Sequence, residues 1–279
     1  MQLDIRRRLG LASLSLATTL MLGLAVLVPS GRSALAEGAT ADAAAAAEAA
    51  KAFTPAQRKA LEFIIKDYLV ANPDVFLEIQ QALETKMEKM QSEKLKVAIT
   101  ENAAEIFRKS DAALAGNEKG DVTVVEFFDY NCGYCKRSFP SMTKLISSDP
   151  KLKVIFKELP ILSKGSEEAS RVALAARIQG KYWEAHRAIF EIKGPIGEAS
   201  ALKAVEKLGL DMGKLKADMA GPAVTAELAK TKELAAKMGI NGTPHFLVGD
   251  YSIPGAPENL IELINNHVGE LRKTGCSVC

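Results

Sequence analysis

Two cysteines separated by two residues, Cys132-Gly133-Tyr134-Cys135, have the type and spacing that most directly supply chemistry in this chain. A thiolate is the nucleophile of thiol–disulfide exchange, and the pKa of the thiol sets how much of it exists. At a pKa of about 8.5 roughly 3% of a thiol is ionised at pH 7, whereas at about 5 roughly 99% is. Cys276 and Cys279 repeat the spacing, and His186, His245 and His267 are the remaining soft ligands. A Cys-x-x-Cys alone also suits a structural zinc pair or an inert disulfide, so its setting has to decide.

That setting is a strand followed by a helix. Val122 to Phe128 is a β-branched and aromatic run that reads as a buried strand. Asp129 to Asn131 is a polar break, and a helix over about Cys132–Ser147 follows. The first turn of a helix carries unpaired N–H groups and the positive end of the macrodipole, both of which favour an anion. Cys132 is therefore the candidate nucleophile. Cys135, one turn further in, is placed to resolve a mixed disulfide.

The strand, Glu126-Phe127-Phe128, the Cys-x-x-Cys and the Gly242-Thr243-Pro244-His245-Phe246 stretch together resemble the DsbA-type branch of the thioredoxin-fold family. Among its members the chain is most similar to the exported ScsC-type (suppressor of copper sensitivity) disulfide isomerases. The resemblance covers about Asp121 to Arg272. It implies an α/β thioredoxin fold with an inserted helical block at about 164–238. It also implies that Pro244 is a cis-proline beside the thiols and that Thr243 offers its backbone to substrate. Gly133 and Tyr134 would share that substrate-binding surface. Glu126 matches the buried acid that relays protons near Cys135; a half-exposed strand carboxylate is the plainer alternative. No cofactor is implied, apart from possible copper binding through cysteine.

The chain before this domain divides by composition. Arg6, Arg7 and Arg8, the apolar run Leu9–Val28 and the small-residue site Ala34-Leu35-Ala36 predict a cleaved export signal over 1–36. A membrane anchor is the alternative, because about 20 apolar residues can span a bilayer. Cleavage removes four basic residues and one acidic residue from totals of 36 and 34, which turns the net charge of +2 into −1. So balanced a charge gives no reason to expect nucleic acid as a partner. Export places the thiols in the periplasm, where disulfides persist.

Residues 37–52 are alanine-rich and read as a flexible leader. Thr54-Pro55-Ala56-Gln57 spells a helix start with a capping box, and Asn72-Pro73-Asp74 starts a second helix. Phe76, Leu83, Met90 and Val97 recur every seven residues. That repeat predicts a seam against other helices, and we read 53–110 as an oligomerisation segment with a charged connecting arm from Ser92. Packing of the pair on its own domain is the competing account. The ScsC resemblance implies a trimer. Asp111–Gly120 marks the expected boundary of the 111–272 domain.

Downstream, Lys153–Glu158 reads as a strand, and helices are expected near 166–179, 182–192, 199–208, 212–219 and 225–237. Phe246–Val248 and Tyr251–Ile253 form a hairpin, and Pro257–Arg272 a closing helix. His186 shares a helical face with Tyr182 and Ile189 and reads as a core histidine. His267 suits the negative end of the last helix. His245 is either a packing residue or a modulator of the thiolate or a metal. The 273–279 tail leaves four readings open: a small-ring disulfide, soft-metal capture, a redox relay, and a prenylation box that the export signal contradicts.

These readings predict an exported thiol–disulfide oxidoreductase acting on disulfide-containing client proteins, with a membrane thiol–disulfide reductase or oxidase as partner. The direction leans to isomerase, with a monomeric DsbA-type oxidase second. A copper-binding or copper-resistance module is the alternative from another class.

Overall fold

The computed structural model describes residues 48–49, 51–109 and 112–279. The expected export signal and most of the expected leader lie outside them. The described chain divides between Leu77 and Glu78 into two units.

In the first unit, helix α1 spans Pro55–Ala71. The Thr54 side chain accepts from the Gln57 N–H at 3.3 Å, while Gln57 Oε1 accepts from the Thr54 N–H at 2.8 Å. Pro55 at the first helical position costs nothing, because that N–H has no intrahelical partner. Helix α2, Asp74–Glu101, begins in this unit and continues into the second. Apolar side chains of α1 stand open: Phe63 is 70% exposed and Val70 72%.

The second unit is built on a five-stranded sheet in the order β1-β3-β2-β4-β5. The strands are β1 Leu114–Gly116, β2 Val122–Phe128, β3 Leu152–Glu158, β4 His245–Val248 and β5 Tyr251–Pro254. β2 and β3 run parallel, whereas β1 on β3, β4 on β2, and β5 on β4 are antiparallel. All seven residues of β2 are buried, as a central strand covered on both faces requires. Alternation splits them: Val124 and Phe128 join one cluster, Val125 and Phe127 the other.

The first cluster lies under helix α4, Gly133–Ser148, which buries Cys135, Met142 and Leu145. Between β3 and β4 run five helices: α5 Lys164–Ile178, α6 Tyr182–Phe190, α7 Glu198–Val205, α8 Met212–Met219 and α9 Pro222–Lys237. They form the inserted block that the resemblance implied. Helix α10, Leu260–Thr274, closes the domain. Arg272 ties its end to Asp121 before β2 and Asp149 after α4, at 2.9 Å in each case.

Two expectations about the boundary change. The expected connecting arm from Ser92 is exposed or half-buried up to Ala98 and docks on the domain beyond it. Ile99 is buried, and helix α3, Ala103–Phe107, buries Ala103, Ile106 and Phe107 in the second cluster with Val125, Phe127, Ile155 and Leu247. The expected boundary also contains a strand, since β1 at Leu114–Gly116 pairs with β3. Three residues of edge strand and one short helix carry too little periodicity to announce themselves. Partners far along the chain stabilise both.

Candidate functional site

β2 delivers its chain to the start of α4, and a loop of three residues sets where Cys132 stands. Asp129 is fully buried, and its carboxylate accepts from the N–H groups of Asn131 at 2.7 Å, Ile161 at 2.9 Å and Leu162 at 3.0 Å. The Asn131 side chain donates to the Ile196 carbonyl at 2.9 Å and accepts from the Ile196 N–H at 2.8 Å. Two distant loops are thereby stapled to the residues before the cysteine. The sequence marks these two residues only as a polar break, whose Asp-x-Asn spelling is a frequent turn former.

Cys132 caps α4 with φ −72° and ψ 117°, and its sulfur accepts from the Cys135 N–H at 3.4 Å. Its Sγ lies 3.1 Å from the Thr243 carbonyl oxygen. The Thr243–Pro244 bond is cis, and the Gly255 N–H donates to the Pro244 carbonyl at 2.9 Å. The structure thus brings Cys132, Cys135, Thr243 and Pro244 together from two segments more than a hundred residues apart. Gly133 faces open space and Tyr134 is 56% exposed, with the Arg137 guanidinium 4.1 Å from its ring centre.

The electrostatics separate the two thiols. A hydrogen bond from the Cys135 thiol is the largest cause holding the Cys132 pKa down at about 5. The Thr243 side chain and the N–H groups of Cys135 and Tyr134 add to it, against desolvation. A group with a pKa near 5 is about 99% ionised at pH 7. The Cys135 thiol is instead pushed far up, by burial first and then by its hydrogen bond to Cys132. Glu126 is buried on the same face of β2 as Val124 and Phe128. Burial, and secondarily the Cys132 charge, raises its pKa to about 8. At neutral pH Cys132, although buried, is therefore the ionised nucleophile, Cys135 a protonated thiol, and the Glu126 carboxyl on the neighbouring strand is poised to exchange a proton.

Neither His245 nor His186 joins this site as a charge. His245 lies on β4, its Nε2 sits 2.8 Å from Ser252 Oγ, and burial lowers its pKa to about 4. A neutral imidazole there gives no cation to the thiolate. His186 is fully buried in an aromatic cage with Phe128, Phe139, Phe156 and Phe190, and burial keeps it neutral. His267 stacks on Tyr251 with ring centres 3.9 Å apart. Sequence reading passed over Glu158, which is buried at the end of β3 and accepts from Ser170 at 2.7 Å and Tyr182 at 2.9 Å. The Tyr130 hydroxyl, two residues before Cys132, lies 3.2 Å from Glu158 and 3.0 Å from His186 Nδ1. Among the described residues no three His, Cys, Asp or Glu side chains gather as a metal site.

A helix-capping Cys-x-x-Cys facing a cis-proline loop across a mixed sheet is a thioredoxin-fold site for thiol–disulfide exchange. Comparison with known proteins narrows this. The DSBA-like thioredoxin domain matches residues 123–260, and the copper resistance protein ScsC N-terminal domain matches residues 57–89. A thioredoxin-like oxidoreductase from Silicibacter pomeroyi DSS-3 is 43% identical, with 61% of this chain and 97% of that one covered and a TM-score of 0.58. Proteus mirabilis ScsC in a transitional conformation is 26% identical, over 78% of this chain and 100% of that one, with a TM-score of 0.57. The thiol-disulfide exchange protein alpha-DsbA2 from Wolbachia pipientis is 29% identical, over 65% and 98%, with a TM-score of 0.60. The chain belongs to the DsbA-like thioredoxin-fold family and carries the N-terminal domain of its ScsC branch.

Curated relatives include the Na(+)/H(+) antiporter NhaA 1 of Salinispora arenicola (strain CNS-205), 28% identical over 146 residues. Those residues are 50% of this chain and 22% of that protein. The chain spans about a fifth of the length of the curated relatives it matches. Among the described residues no helix is long and apolar enough to cross a membrane.

Proposed function

We propose that this chain is an exported, periplasmic thiol–disulfide oxidoreductase that reshuffles the disulfides of client proteins. The observation that carries the proposal is the Cys132 sulfur at the start of α4, 3.1 Å from the Thr243 carbonyl beside the cis Pro244. The Cys132 thiolate attacks one sulfur of a client disulfide, forming a mixed disulfide and releasing the other client sulfur as a thiolate. Thr243 and Pro244, with Gly133 and Tyr134 at the rim, hold the client backbone. If a second client thiolate then attacks the mixed disulfide, Cys132 is returned and the client bond has moved. If Cys135 attacks instead, its proton passes to Glu126 in the ionised form, roughly a tenth of the carboxyl at pH 7, the client leaves reduced, and Cys132–Cys135 is the disulfide formed. A membrane thiol–disulfide reductase as partner would return that disulfide to the dithiol.

Isomerisation is preferred over plain oxidation because the N-terminal helices fit an assembly of copies. Phe76, Leu83, Met90 and Val97, the seven-residue repeat of α2, are each 48–57% exposed in the single chain. Ile65, Leu69, Val70, Pro73 and Phe76 line an apolar cavity of about 630 Å3 within the first unit. Such faces favour a homo-oligomer, a trimer in our reading, in which several sites hold one client. A second reading, copper handling, is favoured by the matched ScsC N-terminal domain and by the softness of the two free thiols.

Scrambled-ribonuclease reactivation in a glutathione buffer tests the proposal. It is expected to need Cys132 and to fall several-fold when residues 37–77 are removed or when Phe76→Asp and Leu83→Asp break the oligomer. Oxidation of reduced ribonuclease that is indifferent to those changes would leave a monomeric oxidase. Stoichiometric Cu(I) binding without thiol turnover would establish the copper reading.

A further inference from the structure

The second Cys-x-x-Cys is not a loose appendage. Cys276 and Cys279 are joined as a disulfide, and the segment that carries them is docked. Gly275, with φ +83°, ends α10 and turns the chain back towards the sheet. Val278 is 5% exposed and belongs to the second core cluster with Ile99, Ala103, Ile106 and Phe107. The Arg108 Nη1 donates to the Val278 carbonyl at 2.9 Å. Cys276 packs against both core clusters, close enough to the β4–β5 turn that a Cβ on Gly249 would stand 3.4 Å from its Sγ. Both cysteines of the pair are partly exposed, so a thiol from solution can reach them.

Position separates this pair from the first. Cys132 meets Thr243 just before β4, whereas Cys276 meets Gly249 just after it. Six residues of mostly extended chain span on the order of 15–20 Å. Exchange between the two pairs within one chain is therefore closed by distance.

We propose that Cys276 and Cys279 form a second, independent redox-active site. Its disulfide clamps Ile99–Arg108 onto the back of the sheet, and its dithiol releases that clamp. The reductant is a dithiol, either small or a protein site such as Cys132–Cys135 of another copy. Its thiolate breaks the Cys276–Cys279 bond to form a mixed disulfide, and its second thiol displaces that bond. Two electrons and two protons pass to Cys276 and Cys279, and the reductant leaves as a disulfide. A ring this short restrains little of the unfolded chain, so its effect is on the local arrangement. Opening it frees Val278 to leave its pocket and takes the Arg108 contact with it. Release is partial, because Lys153 and Lys157 still donate to the carbonyls of Phe107 and Glu105 at 3.0 and 2.9 Å.

The test uses the full chain with Cys132→Ser and Cys135→Ser, so that only the second pair reports. Mass spectrometry after differential alkylation follows Cys276 and Cys279 through a series of dithiothreitol buffers of stepped potential, while amide exchange is read along the chain. Reduction is expected to raise exchange over 99–108 about tenfold and to leave α4 and β2 unchanged. Val278→Asp, with the disulfide intact, is expected to produce the same local rise. Unchanged exchange over 99–108 on reduction would overturn the clamp. A disulfide that yields only when the whole domain unfolds would overturn the redox-active site and leave a staple.

Discussion

The two Cys-x-x-Cys pairs have the same spacing and opposite settings. Cys132 begins α4, where free N–H groups and the positive end of the dipole meet its sulfur. Cys276 follows α10, at the end where unpaired carbonyls gather and a negative partial charge disfavours a thiolate. The first pair is free and faces a cis-proline loop; the second is a disulfide anchored by a buried valine. Spacing lets two sulfurs meet, but the helix end beside them decides which chemistry is ready at neutral pH.

The largest expected effect separates the pairs outright. Cys132→Ser should lower client disulfide turnover by about 1,000-fold or more, since no other group supplies the nucleophile. Cys276→Ser with Cys279→Ser should leave it within about twofold. Comparable losses in the ribonuclease assay would break the comparison.

Next comes thiol reactivity. In the fully reduced chain at pH 6, iodoacetamide should modify Cys132 about 100-fold faster than Cys276 or Cys279, as mass spectrometry of the labelled peptides would show. Cys135→Ala removes the largest cause of the low Cys132 pKa. The alkylation midpoint of Cys132 should then move up from about 5, with a roughly tenfold loss of rate at pH 6. An unmoved midpoint would assign the shift to the helix end alone. Stability carries the same sign. Cys132 ionises at about 5 in the fold against an ordinary 9.0, so its contribution is complete above 9 and is lost as pH falls through 5. Chemical denaturation of the reduced chain beside Cys132→Ser should show this gap closing in acid.

Glu126→Gln sharpens the comparison further. It should slow release of a mixed disulfide by Cys135 by roughly tenfold while sparing the first attack, as stopped-flow trapping would resolve. The carboxyl ionises at about 8 in the fold and 4.5 outside it, so keeping it buried costs stability increasingly as pH rises from 4.5 to 8. The glutamine variant should therefore be more stable by roughly 1–3 kcal/mol at pH 7 and equal near pH 4.

Much of this was legible before the fold. The strand at 122–128, the helix after Cys132, the capping box at Thr54, the helical insertion and the hairpin all follow from local pattern. Cys132 and Cys135 were legible from their spacing after a strand and at a helix start, whereas Thr243, Pro244 and Glu126 entered only through the resemblance to the DsbA-type family. The roles of Asp129 and Asn131 were not legible, because their partners at 161, 162 and 196 lie dozens of residues away. Glu158 looked like the end of a strand until three hydroxyls converged on it.

The sequence by itself determined which residues hold reactive sulfur, which stretch is strand or helix, and that Cys132 stands at a helix start. Those are matters of residue type and short-range periodicity. Only the tertiary structure decided that Cys132 meets Thr243 and that Glu126 is buried. It also decided that Ile99–Phe107 belongs to the core and that the 275–279 segment is docked. Each depends on contacts between segments far apart in the chain, whose energy comes from shared burial and exists only once those segments meet.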